Sequence, residues 1–175
     1  AYMEEKHDRL AFPPALEQLY TDRMASYRRK IMAKGVLPAI VIYNIFLVAD
    51  LLLVHETILL ATVLHFGVVT PIILLSAFLF SKAKDQRTRE VAAAAIPFSM
   101  VAQIMLIYAL NEGAAADQYQ YLAIMIVVYM NVNQRFGFRL AALSTIVLAA
   151  TYATVLLVGH SPVEVKFTGF CMMAS

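Results

Sequence analysis

One cysteine, no tryptophan, six glycines, six prolines and a charged fraction of 15% mark what this 175-residue chain has little of. A single Cys171 excludes an intrachain disulfide, and a thiol in an apolar stretch makes a poor nucleophile. The scarcity of charge, set against 61% hydrophobic residues and a mean hydropathy of +0.70, excludes an ordinary solvated globule. Chemistry-bearing patterns are equally sparse. There is no HExxH, no glycine-rich phosphate loop and no paired intramembrane carboxylates, and Ser99, Ser144 and Thr145 have no His and Asp arrangement beside them, so no catalytic residues are expected. Basic residues are not interleaved with aromatics as a nucleic-acid platform requires, so no nucleic-acid partner is expected. No signal peptide is read at the start, where Glu4, Glu5, Lys6, His7, Asp8 and Arg9 are strongly polar.

What is present is apolar sequence punctuated by alternating charge. Lys6, Arg9, Arg23, Arg28, Arg29, Lys30 and Lys34 form one basic cluster, Lys82, Lys84, Arg87 and Arg89 a second, and Arg135 and Arg139 a third. The connections between them carry His55 with Glu56, then Glu112 with Asp117, then His160 and Glu164 beside the lone Lys166. Short cytoplasmic loops retain Lys and Arg, which puts the clusters and the amino terminus inside and the acidic loops outside. About 20 helical residues cross a hydrocarbon core. Gly35 to Val54, Ile58 to Phe80, Val91 to Leu110, Tyr119 to about Gln134 and Phe136 to Val158 meet or approach that length. From Val163 a sixth apolar segment begins and reaches Ser175. The expectation is an all-α polytopic transmembrane helix bundle, with five complete spans plus the start of a sixth. Residues 1–34 form a cytoplasmic N-terminal segment, and residues 35–175 form the membrane domain. Further sequence, with a cytoplasmic output domain, is expected after the sixth helix.

From Pro13 to Met32, Leu16, Leu19, Tyr20, Met24 and Tyr27 recur at roughly helical spacing behind Pro13 and Pro14. An amphipathic interfacial helix along the inner headgroups, anchoring the first crossing, is expected there, or else a docking surface for an output domain.

Depth arithmetic selects a candidate site. Asp50, His65, Gln103 and Tyr152 all fall roughly 6 to 11 Å below the outer boundary at about 1.5 Å per residue. An ionisable group at that depth faces inward and takes a partner. Two readings stand side by side. Asp50 and His65, helped by Gln103 or a water, lock two helices together, or the layer is the polar floor of an outward-open ligand site with His55, Glu56, Glu112, Asp117, His160 and Glu164 around its mouth. The aliphatic walls suit a small or hydrophobic ligand.

A haem or metal ion is a further alternative, with His65 and His160 as candidates and Met105, Met125 or Met172 as substitutes, although no pair has the spacing of a dedicated ligand motif. Pro38, Thr70 with Pro71, and Pro97 are candidate kinks, which keeps a small transporter or channel open.

Phe12-Pro13-Pro14-Ala15-Leu16-Glu17-Gln18-Leu19-Tyr20, Arg28-Arg29-Lys30, Tyr43-Asn44-Ile45-Phe46-Leu47-Val48-Ala49-Asp50 and Gln134-Arg135-Phe136-Gly137-Phe138-Arg139 carry a resemblance over most of the chain. This layout resembles the six-helix membrane sensor regions that precede GGDEF diguanylate cyclase domains in bacteria and, less specifically, class III adenylate cyclases. The resemblance implies a sensory input module of the bacterial inner membrane, a homodimer through its output segment, controlling synthesis of cyclic di-GMP. The fragment itself then holds no enzyme activity. The family pattern implies an Arg after the Leu run of the second span; this chain has Leu64-His65-Phe66 instead.

Overall fold

The structure is a computed structural model that describes residues 13–133 and 138–174. Its described residues are almost wholly helical, as the long apolar runs require once backbone amides are denied water.

Helix α1 (Pro14–Ile45) starts on Pro13 and Pro14, where a missing amide proton costs nothing in the first turn. It runs for 32 residues, about 48 Å at 1.5 Å per residue, without a break. The separate surface helix expected over 13–32 is therefore continuous with the first crossing. Nothing between Met32 and Val36 forces a break, since Gly35 has open space around it and Pro38 is absorbed in the helix. Leu16, Leu19, Tyr20, Tyr27 and Ile31 of its first half are all exposed, which leaves an apolar stripe on the part that projects beyond the span. After a turn at Phe46, α2 (Leu47–Leu53) completes the crossing.

A short 3₁₀ turn (His55–Thr57) leads into α3 (Ile58–Leu64), a π-helical turn (His65–Val69) and α4 (Thr70–Lys82). Pro71 explains the widened turn. It has no amide proton for Gly67, four residues back, and its ring crowds that carbonyl. The amide of Thr70 accordingly reaches His65 O, five residues back. Helix α5 (Gln86–Ala109) is capped by Asp85, whose carboxylate accepts from the Thr88 amide at 2.7 Å. Then come α6 (Ala114–Tyr119), α7 (Tyr121–Asn133), α8 (Phe138–Val158) and α9 (Val163–Ala174). Gly113 enters α6 at φ +102°, a conformation a side chain would strain.

Among the described residues, four helical stretches are long and apolar enough to cross a membrane: Lys34–Leu53, His55–Lys82, Gln86–Ala109 and Arg139–Val158. These match four of the five complete spans read from the sequence. The remaining one, expected over Tyr119 to Gln134, corresponds to α7, which has 13 residues, with Gln134 outside the described residues. Helix α5 is central, packing on α4, α7 and α8. Two thirds of its apolar window is buried, against 11% to 22% for the other three, whose Leu, Val, Ile and Phe side chains face outward as lipid-facing residues do. Small Ala92 and Ala93 let α5 approach Phe80 of α4 closely. Asn131 of α7 and Thr145 of α8 exchange hydrogen bonds of 3.0 and 3.2 Å between their helices.

Candidate functional site

The short α2, the π-helical turn and α6 meet around one carboxylate. Asp50 is 0% exposed and His65 1%. His65 Nε2 lies 2.9 Å from Asp50 Oδ2, and Tyr119 donates from its hydroxyl to Asp50 Oδ1 at 2.5 Å. The His65 contact is short but is not aligned as a hydrogen bond, which leaves Oδ2 able to take another donor. Tyr43 stacks on the imidazole with ring centroids 4.3 Å apart and planes 14° from parallel, and its hydroxyl donates to Gln103 Oε1.

The centre is thus built by Tyr43 and Asp50 from the first crossing, His65 from the second, Gln103 from α5 and Tyr119 from the end of α6. Tyr43 near the end of α1 and Asp50 in α2 are seven residues apart across the turn at Phe46, and both reach His65. The π-helical turn begins at His65 itself, and such turns re-aim a side chain relative to a regular helix. One residue from Tyr43, Asn44 donates to Thr70 Oγ1 at 3.1 Å, a second tie between α1 and α4.

Several polar atoms here have no protein partner: His65 Nδ1, Gln103 Nε2 and Asn44 Oδ1, along with the misaligned Asp50 Oδ2. Each is buried, and each retains hydrogen-bonding capacity for a small polar ligand or water. Comparison of the chain with family profiles, curated proteins and solved structures returns no match.

Of the four residues that depth arithmetic placed in one layer, Asp50 and His65 meet directly, and Gln103 joins them through Tyr43. Tyr152 does not touch Asp50 or His65. It is 0% exposed, and its hydroxyl donates to Gln120 Oε1 at 3.1 Å in a neighbouring cluster. Tyr43, Tyr119, Gln120 and Asn44 were missed by sequence reasoning. The seven-residue spacing could have found Tyr43; nothing in the sequence pairs Tyr119 with Asp50, because that contact needs α6 folded back against α2.

The residues expected around the mouth lie mostly at the surface. His55, Glu56, Glu112, His160 and Glu164 are exposed. His160 Nδ1 stands 3.7 Å from Glu112 Oε1 with both side chains about three quarters exposed. Asp117 is half-buried and accepts from Ser161, which in turn bonds Tyr108. With His160 in solvent and His65 sealed beside Asp50, the two histidines do not meet to hold a haem. Met105 lies in the apolar core, while Met125 and Met172 are exposed. Among the described residues, no three His, Cys, Asp or Glu side chains are grouped as a metal site.

Proposed function

We propose that the chain is a membrane-embedded sensory input module of the bacterial cytoplasmic membrane, with its amino terminus inside. It spans the bilayer through five crossings and the start of a sixth. A signal received at the outer side rearranges the polar centre around Asp50 and His65, and the sixth crossing carries the change to a cytoplasmic nucleotide cyclase. The output favoured by the resemblance is a diguanylate cyclase making cyclic di-GMP, dimeric through its output segment.

The observation that supports this reading is the composition of the centre itself. An Asp–His pair sealed from solvent, joined to side chains from three other helices and retaining unpartnered polar atoms, is costly for a membrane bundle to keep and is a functional hypothesis by default. Helix α1 adds to the argument, because one unbroken helix links the segment bearing Arg23, Arg29 and Lys30 to Tyr43. A ligand at the centre shifts the bundle only to the extent that it prefers one arrangement over another, and the misaligned His65 contact offers such a preference.

Cyclic di-GMP measured in a bacterial host expressing the full natural protein tests the reading. Asp50→Asn and His65→Gln are expected to change its level several-fold while the protein stays in the membrane at wild-type amount. A full-length protein that yields no cyclic nucleotide, or that instead moves solute across vesicles, overturns it.

A further inference from the structure

Tyr119 and Gln120 are adjacent in the chain and look in two directions. Tyr119 ends α6 and donates to Asp50 Oδ1. Gln120 sits in the turn before α7, accepts from the Tyr152 hydroxyl through Oε1, and donates from Nε2 to Asp117 O at 2.8 Å. Asp50, Tyr119, Gln120 and Tyr152 are each at most 1% exposed.

Beyond Tyr152 the contact continues into α9. A Cβ added to Gly169 would lie 2.6 Å from the Tyr152 hydroxyl and 3.2 Å from Gln120 Oε1, so α9 is seated backbone-first against this pair. The start of α9 is held at the same knee, since Ser161, two residues before Val163, donates to Asp117. Lys166 of α9 donates to Gly159 O at 2.8 Å, which ties α9 to the end of α8.

We propose that the Tyr119–Gln120 knee is a relay that couples the buried Asp50–His65 pair to the position of α9. Tyr119 and Gln120 share a peptide unit, so a backbone displacement at Tyr119 that follows Asp50 carries the Gln120 side chain with it. Gln120 is held by two further hydrogen bonds, and Tyr152 has no free volume on its α9 side. The movement is therefore transferred instead of dissipated, because close-packed contacts of this kind switch between discrete arrangements. The use of this coupling for signalling rests on the sensor reading above; the coupling itself is a property of the bundle.

Cys171, two residues after Gly169 and exposed, is the chain's single cysteine and a native probe of α9. The protein in nanodiscs, labelled there with a trifluoroethylthio group, is compared by ¹⁹F NMR across variants. Asp50→Asn and Tyr119→Phe are expected to move the Cys171 resonance by more than the wild-type linewidth and in a common direction. Gly169→Ala, which pushes α9 away, moves it as well, while Thr62→Val, whose hydroxyl bonds only Ile58 O, leaves it in place. An unchanged resonance in Tyr119→Phe, beside a moved one in Gly169→Ala, overturns the relay. Should Asp50→Asn fail to fold, Tyr119→Phe carries the test alone, since it removes only one hydroxyl. The readout needs no output domain, so failure of the relay is distinct from failure of the cyclase reading.

Discussion

Separating Asp50 from His65 gives the sharpest test of the centre. In His65→Gln the carboxylate keeps Tyr119 as a donor but loses the nitrogen 2.9 Å from Oδ2. Removing one member of a buried pair costs about 3–5 kcal/mol when nothing compensates, and the surviving Tyr119 bond lowers the expected loss to about 2–3 kcal/mol. Asp50→Asn preserves an acceptor for Tyr119 and replaces Oδ1 or Oδ2 by an amide nitrogen, for a loss of about 1–2 kcal/mol. The double variant Asp50→Asn, His65→Gln leaves two neutral amides in reach of one another, so it should be more stable than the sum of the single losses implies, by about 1–2 kcal/mol. Because the chain has no tryptophan, unfolding in mixed micelles is followed by far-UV circular dichroism. Additivity within about 0.5 kcal/mol would refute the pairing, and with it the view that Asp50 is held by the second crossing.

Two further outcomes follow from the two ends of the bundle. His160→Ala should change stability by less than about 0.5 kcal/mol in the same titration, since a solvent-exposed pair at 3.7 Å contributes little. At the other edge, hydrogen bonding from the Thr88 hydroxyl and amide holds the Asp85 carboxyl below the usual carboxylate range. A depressed carboxylate stabilises above its unfolded-state value and loses that contribution as pH falls through the lower folded-state value. Amide exchange at Gln86–Arg89, corrected for intrinsic rate, should therefore show fraying of α5 only on acidification into that range, and Asp85→Ala should show it already at neutral pH.

Long apolar runs made the four membrane-length helices legible from sequence, because their lengths and the charged residues at their ends are read along one dimension. The centre was legible in part for the same reason. Depth arithmetic gives a side chain its height in the bundle and says nothing of its azimuth. Asp50 and His65 share both, as neighbouring antiparallel helices allow, whereas Tyr152 shares only height and faces Gln120. Pro71 signalled a disturbance in the second crossing, and the π-helical turn stands just before it; Pro38 and Pro97 gave the same signal, yet α1 and α5 continue through them. The cause lies in packing. A proline within a helix loses one hydrogen bond and can be absorbed by a bend, and the sequence does not state which solution the neighbours favour. Tyr119 and Gln120 were hidden more deeply, because their partners are 69 and 32 residues away and are reached only after α6 turns back on the bundle.

The unpartnered atoms support the proposed responsive site over a helix lock. A lock gains most when each buried donor and acceptor is matched, since an unmatched one costs about 1–3 kcal/mol. Asn131 and Thr145, away from the buried core, match one another in this way, exchanging two hydrogen bonds between α7 and α8. The Asp50 centre does not: His65 Nδ1 and Gln103 Nε2 lack protein partners, although a simpler bundle would place aliphatic side chains at both positions. Tyr43 could have been Phe and still stacked on His65, yet its hydroxyl holds Gln103 and leaves that amide's donors to something other than protein. Retaining such capacity beside an imperfectly aligned His65–Asp50 contact gives a bound molecule a reason to favour one geometry of His65 and Asp50 over another, and only a differential preference of that kind can turn binding into a change in helix arrangement.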